Sequence, residues 1–381
     1  MKKIRFTFDA NPLVNNKSGV GHFTERFIMS LEDQFSESAN FTGYYIAPKS
    51  LDLSIIYKGR SNVTFIRSPR IISKLFGILR RLNIQPPLEL ITRSGSDIVI
   101  FTNFVSLPLF TRSKTVLTVY DLCFIDCPEY VAEKNKNYLR KWVSKSISKA
   151  NHVLTISEFT KGRIIEVYGV PENKIHVMPI PPKTHPVNTK HTRPERFAKL
   201  KDYLLFVGTI EPRKNIMGLL KAYELMKPEL RQKHPLILAG GKGWLDDEIL
   251  EKIAQLNSDG LNIIQTGYIT DEELSHLYSQ ALICVQPSHY EGFGMPILEA
   301  MSYGKPVACS DIEVFHEVGR NAPIFFNQAN PEDMAEKISS VITNKQILKL
   351  MAQRSRELAK DYPNWGEVTL EFWHKVVDQK S

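Results

Sequence analysis

Residues 283–304, "ICVQPSHYEGFGMPILEAMSYG", show the repeating unit of the fold in one stretch. The apolar run "ICVQPS" predicts a strand, "EGFG" predicts a glycine turn, and "PILEAMSYG" predicts a helix that opens with proline. Glu291 falls in the loop and Glu299 lies about one turn into the helix. Gly292 and Gly294 free the backbone, and the N–H groups of a helix start attract an anion. Two carboxylates beside an anion site suit a ligand that is both anionic and rich in hydroxyl groups.

The same alternation runs along both halves of the chain. In the first half, the strand-like runs "IRFTFDA", "FTGYYIAP", "SDIVIFTN", "KTVLTVYDL" and "HVLTIS" alternate with the helix-like runs "GHFTERFIMSLEDQF" and "KNYLRKWVSKSISKA". The second half starts afresh at "DYLLFVGT" and continues to "PIFFNQ". Strands with few polar interruptions, alternating with helices, indicate parallel sheets covered on both faces. The sequence therefore predicts an α/β protein with two doubly wound, Rossmann-like domains and a cleft between them.

A proline-rich stretch separates the two halves. "MPIPPKTHPVNTKHTRPE" contains five prolines and little apolar material, which is typical of a linker. We therefore predict an N-terminal domain over 1–182, a linker over 183–198 and a C-terminal domain over 199–363. The tail "NWGEVTLEFWHKVV" is patterned as a helix, and we expect the segment 364–381 to pack back on the first domain.

Composition limits the classes of protein to which the chain can belong. A length of 381 residues with 43% hydrophobic residues suits two globular domains. The most apolar stretch, "DIVIFTNFVSLPLF", is too short to span a bilayer, and no signal peptide is evident. The four cysteines form no CxxC pair, which favours reduced thiols. We expect a cytoplasmic protein.

Charge is divided unevenly between the two halves. Residues 1–194 hold 28 Lys and Arg against 15 Asp and Glu, whereas the remainder holds 21 against 26. A basic half can face nucleic acid, an anionic membrane or an acidic substrate, but no zinc spacing, RNP-like motif or helix-turn-helix signature supports nucleic acid. "RIISKLFGILRRLN" predicts a basic amphipathic helix over 70–82 that can lie on an anionic membrane. An ordinary helix packed on its own domain is the alternative.

Two loops have the composition of phosphate sites. In "VGTIEPRKNI", Gly208 ends a strand, and Arg213 and Lys214 precede the next helix. Arginine can bind two oxygens of a diphosphate, and lysine acts as a point charge. In "NNKSGVGHFT", Gly19 and Gly21 are predicted to lie in a loop before a helix, where backbone could approach phosphate. This second loop is a poor dinucleotide fingerprint, and a simple turn is the alternative.

Taken together, these motifs resemble the retaining GT-B glycosyltransferases of family 4, which include many bacterial polysaccharide mannosyl- and glucosyltransferases. The resemblance covers nearly the whole chain. It is strongest from "VGTIEPRKN" through "TGYITDEELSHLYSQALICVQPSHYEGFGMPILEAMSYGKPVACSD", and "ISEFTKGRIIEVYGVPENKIHVMP" is similar to the family's segment before the linker. The first domain would then be the acceptor side, and the second would bind the nucleotide sugar.

The resemblance implies a role for each site residue. Glu299 is assigned to the ribose hydroxyls and Glu291 to the donor sugar, while Arg213 and Lys214 hold the diphosphate without a bound metal ion or other cofactor. The predicted donor-binding set is Gly19, Gly21, Gly208, Arg213, Lys214, Ile269, Glu291, Gly292, Phe293, Gly294 and Glu299. The predicted catalytic set is Glu291, Asp121, Tyr120, Arg213 and Lys214.

Two departures from the family pattern bear on activity. Where the family usually shows His-Asp, this chain reads "LTVYDL", with Tyr120 followed by Asp121. A tyrosine can hydrogen-bond a sugar but carries no positive charge near neutral pH. The linker also reads "MPIPP" where asparagine-glycine is common. Either departure indicates altered donor choice or low activity.

The sequence thus predicts transfer of a hexose, with retention of configuration, from a nucleotide sugar. GDP-mannose is the first donor expected, followed by UDP-glucose and deoxysugar nucleotides. The expected acceptor is a glycan or lipid-linked saccharide at the inner face of the plasma membrane, in surface polysaccharide synthesis. The alternatives are a GT-B epimerase or phosphorylase, and a catalytically weak, membrane-recruited partner of another transferase. No nucleic-acid partner is expected.

Overall fold

The chain divides into two compact units. The structure, a computed structural model, describes residues 2–14, 19–47, 50–68, 71, 78–79, 86–92, 95–182, 194–241, 243 and 247–378. The first unit comprises Met1–Asp126, Glu133–Ile180 and Pro363–Ser381, and the second comprises Cys127–Ala132 and Pro181–Tyr362. The sequence assigned one unbroken first domain to 1–182, whereas the structure groups Cys127–Ala132 with the second unit.

A seven-stranded sheet forms the centre of the first unit. Its strand order is β3-β2-β1-β4-β5-β6-β7, and neighbouring strands run parallel. Alternating helices cover apolar strands on both faces. The strands are β1 (Ile4–Asp9), β2 (Ala39–Ile46), β3 (Val63–Ser68), β4 (Ile98–Phe101), β5 (Lys114–Thr118), β6 (His152–Thr155) and β7 (Ile175–Val177).

Two of the helices described in the first unit fall on the predicted helix-like runs, one of them with a correction at its start. They are α1 (Gly19–Phe35), α2 (Glu89–Thr92), α3 (Cys123–Asp126), α4 (Glu133–Lys149) and α5 (Glu158–Tyr168). Gly19 and Gly21 were predicted to precede the first helix, but they form its first turn. Glycine is a poor helix former, so the pattern alone placed the helix start too late. The Ser157 hydroxyl caps the start of α5, and Gly169 ends this helix in a left-handed conformation.

The C-terminal segment packs on α1 within the first unit. Helix α14 (Trp365–Phe372) begins with a capping box and continues into a π-helical turn, Trp373–Val377. The Gln34 side chain donates to the Gly366 carbonyl at 2.7 Å. The Trp373 ring stacks on Phe35, with ring centroids 3.8 Å apart. A hydrogen bond and a pair of stacked rings therefore join the C-terminal segment to the end of α1.

The second unit contains a six-stranded parallel sheet. Its order is β10-β9-β8-β11-β12-β13, so β8 lies between β9 and β11. The strands are β8 (Tyr203–Val207), β9 (Leu236–Ala239), β10 (Ile263–Gly267), β11 (Ala281–Gln286), β12 (Val307–Ser310) and β13 (Ile324–Phe326). Most of their residues are buried, as expected for strands covered on both faces.

Helices of the second unit cover this sheet. They are α6 (Ile216–Leu225), α7 (Pro228–Lys233), α8 (Asp247–Ser258), α9 (Asp271–Gln280), α10 (Met295–Ser302), α11 (Glu313–Gly319), α12 (Pro331–Ile342) and α13 (Lys345–Lys360). Side-chain caps fix several starts: Asn215 caps α6, and Thr270 forms a capping box with Glu273 on α9. These caps position the loops at the carboxyl edge of the sheet.

Two sequence predictions fall largely outside the described residues. Of the predicted membrane helix over 70–82, the structure describes residues 71 and 78–79, and most of the predicted linker, residues 183–193, is also outside. Among the residues that are described, no helix is long and apolar enough to cross a membrane.

Candidate active site

The candidate active site lies at the carboxyl edge of the second sheet. Strands β8 and β11 are neighbours in this sheet, so the loops that follow them emerge side by side. A ligand in an open parallel sheet binds at this edge. Gly208 follows β8 and donates its N–H to the Ala239 carbonyl at 2.9 Å. A Cβ on Gly240 would lie 2.0 Å from the Gly208 carbonyl oxygen, so this close approach requires glycine.

The loop after β8 carries the predicted cation pair. Pro212–Lys214 forms a single 3₁₀ turn, and Asn215 follows in a left-handed conformation at φ 52°. This turn places Arg213 and Lys214 immediately before α6, as the sequence predicts. Arg213 Nη1 donates to the Tyr290 carbonyl at 3.0 Å, which joins the loop after β8 to the loop after β11.

Four charged side chains meet between these two loops. Lys214 Nζ lies 2.5 Å from Glu291 Oε1, and Arg213 Nη1 lies 3.1 Å from Glu291 Oε2. The Ser288 hydroxyl donates to Glu291 Oε1 at 2.7 Å. Arg213 Nη2 also lies 2.9 Å from Oε1 of Glu211. We call Glu211, Arg213, Lys214 and Glu291 the charge cluster; it holds two cations and two carboxyl groups.

Sequence reasoning missed Glu211 and Ser288. Both stand inside stretches that the sequence singled out, "VGTIEPRKNI" and "ICVQPS". An acid two residues before Arg213 has no helical spacing to that arginine, and a serine at a strand end is common. The available signal was their position within the two loops that the topology brings together.

Burial and charge act in opposite directions on the two carboxyl groups of the charge cluster. For Glu291, burial favours the neutral acid, but the charges of Lys214 and Arg213 and the hydrogen bonds outweigh it and lower the pKa to about 2. For Glu211, burial prevails over the attraction of Arg213 and Lys214, and the nearby Glu291 adds repulsion, so the pKa is raised. Glu291 is thus ionised at neutral pH.

The glycine turn predicted around Phe293 is also present. Gly294 precedes α10 with φ 108°, a conformation that favours glycine, and a Cβ there would lie 2.8 Å from the Phe315 ring. Phe293 is buried and meets the Tyr362 ring edge-to-face at 6.3 Å. Gly292, between Glu291 and Phe293, is buried as well. Packing therefore fixes the backbone that leads into the helix.

Glu299 lies four residues after the first residue of α10, about one turn into the helix, as the sequence predicted. Its side chain is buried, and the Tyr278 hydroxyl donates to Oε2 at 2.9 Å. Tyr278 stacks on Tyr303, whose hydroxyl lies 2.7 Å from Ser275 Oγ. Burial, followed by the charge of Glu299, raises the pKa of Tyr278 well above its ordinary value, so its hydroxyl remains a donor. Tyr278 thus holds the carboxylate in place, and Tyr303 packs against Tyr278.

Ile269 lies at the same edge of the sheet, away from β8. It is half-buried in the loop between β10 and α9, next to the helix cap Thr270. The order of the sheet puts β10 two strands from β8. Its predicted contact with the nucleotide stays a prediction.

A short segment from earlier in the sequence packs beside the loop after β11. Tyr130, within Cys127–Ala132, stacks on the His289 ring, with centroids 5.3 Å apart and planes 5° apart. The His289 N–H donates to the Arg213 carbonyl at 2.9 Å. Burial lowers the pKa of His289. The ring stacking and the backbone hydrogen bond therefore fix the position of His289, which directly precedes Tyr290 and Glu291.

The remaining predicted residues belong to the first unit. Tyr120 is 6% exposed and donates its hydroxyl to the Thr102 carbonyl at 2.8 Å. The Phe23 ring meets it edge-to-face at 5.5 Å, and burial raises its pKa. Asp121 Oδ1 accepts from the Cys123 N–H at 3.0 Å, at the start of α3. Tyr120 and Asp121 thus have structural partners, and Gly19 and Gly21 lie in the first turn of α1.

No three His, Cys, Asp or Glu side chains group to hold a metal ion among the residues for which the structure gives a description.

Comparison with known proteins identifies the family. The profile described as "Glycosyl transferases group 1" matches residues 187–358, and the profile of "Glycosyltransferase Family 4" matches residues 45–181. The chain is 34% identical to the O-antigen chain mannosyltransferase B of Escherichia coli, over 67% of this chain and 68% of that protein. The chain belongs to glycosyltransferase family 4. The resemblance inferred from the motifs is therefore confirmed.

A second relative and a solved structure extend the comparison. The family 4 chain is 28% identical to the O-antigen chain mannosyltransferase RfbU of Salmonella typhimurium, over 74% of each protein. The sucrose-phosphate synthase of Thermosynechococcus elongatus superposes with a TM-score of 0.72 at 16% identity, covering 98% of both chains. At that identity the likeness concerns the fold alone. The two Rossmann-like units of this glycosyltransferase confirm the predicted GT-B fold class.

Proposed function

We propose that this glycosyltransferase moves a hexose, mannose first, from a nucleotide sugar to a glycan or lipid-linked saccharide. The process would be synthesis of bacterial surface polysaccharide such as the O-antigen of lipopolysaccharide. The observation that carries the proposal is the buried charge cluster at the carboxyl edge of the second sheet, where a diphosphate would meet Arg213 and Lys214. Both relatives described above carry names that specify an O-antigen chain mannosyltransferase.

The donor-binding roles follow from the chemistry of each group. Arg213 and Lys214 would bind the diphosphate, with the N–H groups of Phe293 and Gly294 facing phosphate and sugar. Glu299 would accept hydrogen bonds from two neighbouring ribose hydroxyls, because a carboxylate has acceptor sites for both. GDP-mannose is the first donor proposed, and UDP-glucose is the second. Arg213 and Lys214 would take the place that a metal ion holds in other transferases.

The proposed chemistry is a front-face displacement with retention. The bond between the sugar anomeric carbon and the diphosphate breaks, and the acceptor oxygen forms a new bond to that carbon on the same face. The acceptor proton passes to a leaving phosphate oxygen, so no separate base is needed. Arg213 and Lys214 stabilise the charge that grows on the diphosphate, and ionised Glu291 stabilises positive charge on the sugar.

A donor panel tests the proposal. Release of nucleotide is measured for GDP-mannose, UDP-glucose and deoxysugar nucleotides, with and without lipid-linked saccharide acceptors and with a chelator present throughout. Acceptor-dependent release of GDP from GDP-mannose, with the α-anomeric product seen by NMR, is expected. Absence of transfer from every donor, or a strict requirement for a metal ion, would overturn the corresponding part of the proposal.

One observation favours a second function, that of a catalytically weak partner of another transferase. Tyr120 stands where the family usually has histidine, and its hydroxyl donates a hydrogen bond to the Thr102 carbonyl. A protein that binds nucleoside diphosphate but transfers no sugar in the panel would fit this function. Epimerisation of the donor or phosphorolysis of a glycan in the same assay would instead support the GT-B epimerase or phosphorylase.

Location at the inner face of the plasma membrane is proposed from the sequence of residues 70–82. Three apolar side chains of this stretch are described: Ile71 and Ile78 are 71% and 56% exposed, and Leu79 is half-buried. Each basic residue near an anionic surface contributes on the order of 1 kcal/mol. Sedimentation with anionic vesicles that high salt abolishes is expected. Equal binding to neutral and anionic vesicles, or none to either, would contradict the proposal.

A further inference from the structure

Glu211 lies next to Arg213 at the carboxyl edge of the second sheet. Its side chain is almost completely buried, and one oxygen, Oε1, accepts from two donors of the same guanidinium group. Arg213 Nε donates to it at 3.1 Å, and Nη2 lies 2.9 Å from it. This contact holds one edge of the planar guanidinium.

The opposite side of the guanidinium has other partners. Nη1 of Arg213 donates to the Tyr290 carbonyl at 3.0 Å and to Glu291 Oε2 at 3.1 Å. Glu291, however, is shared, because Lys214 and Ser288 also bind its Oε1. In the proposed reaction, moreover, Glu291 turns to the donor sugar. Of the two carboxyl groups in the charge cluster, Glu211 is therefore the one whose described side-chain contacts are all with Arg213.

Stability gives a poor account of this pair. Removing a carboxylate and a guanidinium from water costs about as much as their mutual attraction returns, and an apolar pair of similar volume is often as stable. A fixed guanidinium plane, by contrast, matters for ligand binding, since arginine recognises phosphate through two parallel N–H···O bonds whose geometry must be right.

We propose that Glu211 is a positioning residue, which holds the Arg213 guanidinium in the plane required to bind the diphosphate of the donor. The inference rests on the proposed function, because it names what Arg213 is positioned to bind. Glu211 acts through Arg213 and touches no reacting atom. Misplacement of Arg213 weakens the ground-state contact with diphosphate and also the stronger contact with the leaving group. Both KM for the donor and kcat are therefore affected.

The test compares Glu211→Gln with wild type in calorimetric titrations with GDP and with UDP at neutral pH. Glutamine keeps the shape and one acceptor oxygen but removes the charge, and charge-assisted hydrogen bonds are about twice as strong as neutral ones. Diphosphate affinity should fall about five- to tenfold. Donor KM should rise and kcat should fall, with the melting temperature nearly unchanged. The control is Glu224→Gln, which removes an acid paired with Lys252 at 3.2 Å in the same unit and should leave affinity unchanged.

A double-mutant cycle shows whether Glu211 acts through Arg213. Lysine at 213 cannot present the planar fork that Glu211 holds. Glu211→Gln should therefore cost little affinity in the Arg213→Lys background, a clearly non-additive result. The affinity gap between wild type and Glu211→Gln should also narrow as acid protonates Glu211. The charged groups that act on it are Arg213, Lys214 and Glu291, with Arg213 and Lys214 favouring its ionised form and Glu291 opposing it.

The remaining outcomes are distinguishable. Tighter diphosphate binding by Glu211→Gln would show that Glu211 competes with the ligand, and unchanged affinity with a lower melting temperature would show a structural role. Additive effects in the cycle would mean that Glu211 does not act through Arg213. Each of these overturns the inference and leaves the proposed function intact. Wild-type protein that binds neither GDP nor UDP would instead overturn the proposed function, and this inference with it.

Discussion

The carboxyl edges of the two sheets are built on the same topology but have opposite chemistry. In the second unit, the loops after β8 and β11 bury the charge cluster, whose ions pair at distances of 2.5 to 3.1 Å. In the first unit, the loop after β5 at the same edge holds Tyr120, a neutral side chain among aromatic rings. The comparison teaches that a parallel sheet fixes where a ligand can bind, whereas the residues in its loops decide which ligand.

The energetics of the two edges differ accordingly. Buried ions are costly unless they are paired, and their pairing adds little to stability, so the charge cluster is best explained by binding. The surroundings of Tyr120, with two ring contacts and a hydrogen-bonded hydroxyl, resemble an ordinary core. Substitutions in the charge cluster that keep the shape and hydrogen bonds of the side chain, such as glutamate to glutamine, should therefore affect activity more than stability, and the substitution at Tyr120 should do the reverse.

The largest expected effect concerns Glu291. In the variant Glu291→Gln, the charge that opposes developing positive charge on the sugar is lost, and kcat should fall on the order of a hundredfold. Affinity for nucleoside diphosphate should be retained, because Lys214 and Arg213 remain and one negative charge beside them is removed. Steady-state kinetics and calorimetric titration with GDP measure the two quantities separately. Lost GDP affinity with unchanged kcat would reverse the roles assigned to Glu291 and Glu299.

The next largest effect concerns Glu299. Its proposed ribose contact is similar in ground and transition states, so its loss should raise the donor KM more than it lowers kcat. Hydrogen bonds to a charged group contribute roughly 1.5–3 kcal/mol, so Glu299→Ala should weaken GDP binding about ten- to a hundredfold. Tyr278→Phe is the matched control, because it removes the hydroxyl that holds Glu299 and keeps the carboxylate. It should weaken GDP binding less, and an equal loss would assign the effect to packing.

The sequence predicted the fold well because its signals are local and repeated. Apolar runs between helical patterns located the central strands of both sheets, and "EGFG" located the turn before α10. The two edge strands of the first sheet were missed: the sequence of β3, "VTFIRS", includes an arginine, and β7 has only three residues. The start of α1 was placed too late, since Gly19 and Gly21 are read as loop residues when taken alone.

The candidate site was predicted less completely than the fold. Adjacent Arg213 and Lys214 were recognised from their position before a helix, and Glu291 from the glycine turn. That Glu291 pairs with both cations depends on the neighbouring positions of β8 and β11, which are far apart in sequence. The role of Glu211 can be inferred only from its contact with Arg213, which the sequence alone does not show. The surroundings of Tyr120 depend on Phe23 and Phe104, which no local pattern connects to it.

A smaller effect should come from the pH dependence of the first unit. His152 Nδ1 lies 2.9 Å from His176 Nε2, and burial, followed by the charges of His176, Lys114 and Lys174, lowers the pKa of His152 to about 4. The unfolded chain takes up a proton near pH 6.5, so the free energy of unfolding should decrease as the pH falls from about 6.5 towards 4. At neutral pH, the pair of His152 and His176 is uncharged, whereas Glu291 is ionised.

Tryptophan fluorescence during denaturation measures this dependence. Trp142, Trp365 and Trp373 lie in the first unit and report its unfolding. The variant His152→Gln should flatten the loss of stability between pH 6.5 and 4. The control His374→Gln changes an exposed histidine paired with Asp378 and should keep the wild-type slope. An unchanged slope in His152→Gln would show that other groups control acid unfolding of this unit.

The smallest expected effect decides what Tyr120 does. The sequence hypothesis places Tyr120 in the donor-sugar pocket, so Tyr120→Phe should lower turnover at an unchanged melting temperature. The structure favours the opposite outcome, because the hydroxyl already donates to the Thr102 carbonyl inside the unit. Its loss should cost about 1 kcal/mol, which lowers the melting temperature of a unit of this size by roughly 2–4 °C, with activity per folded molecule unchanged. Lower turnover without destabilisation would place a reacting group at the carboxyl edge of the first sheet and end the contrast between the two edges.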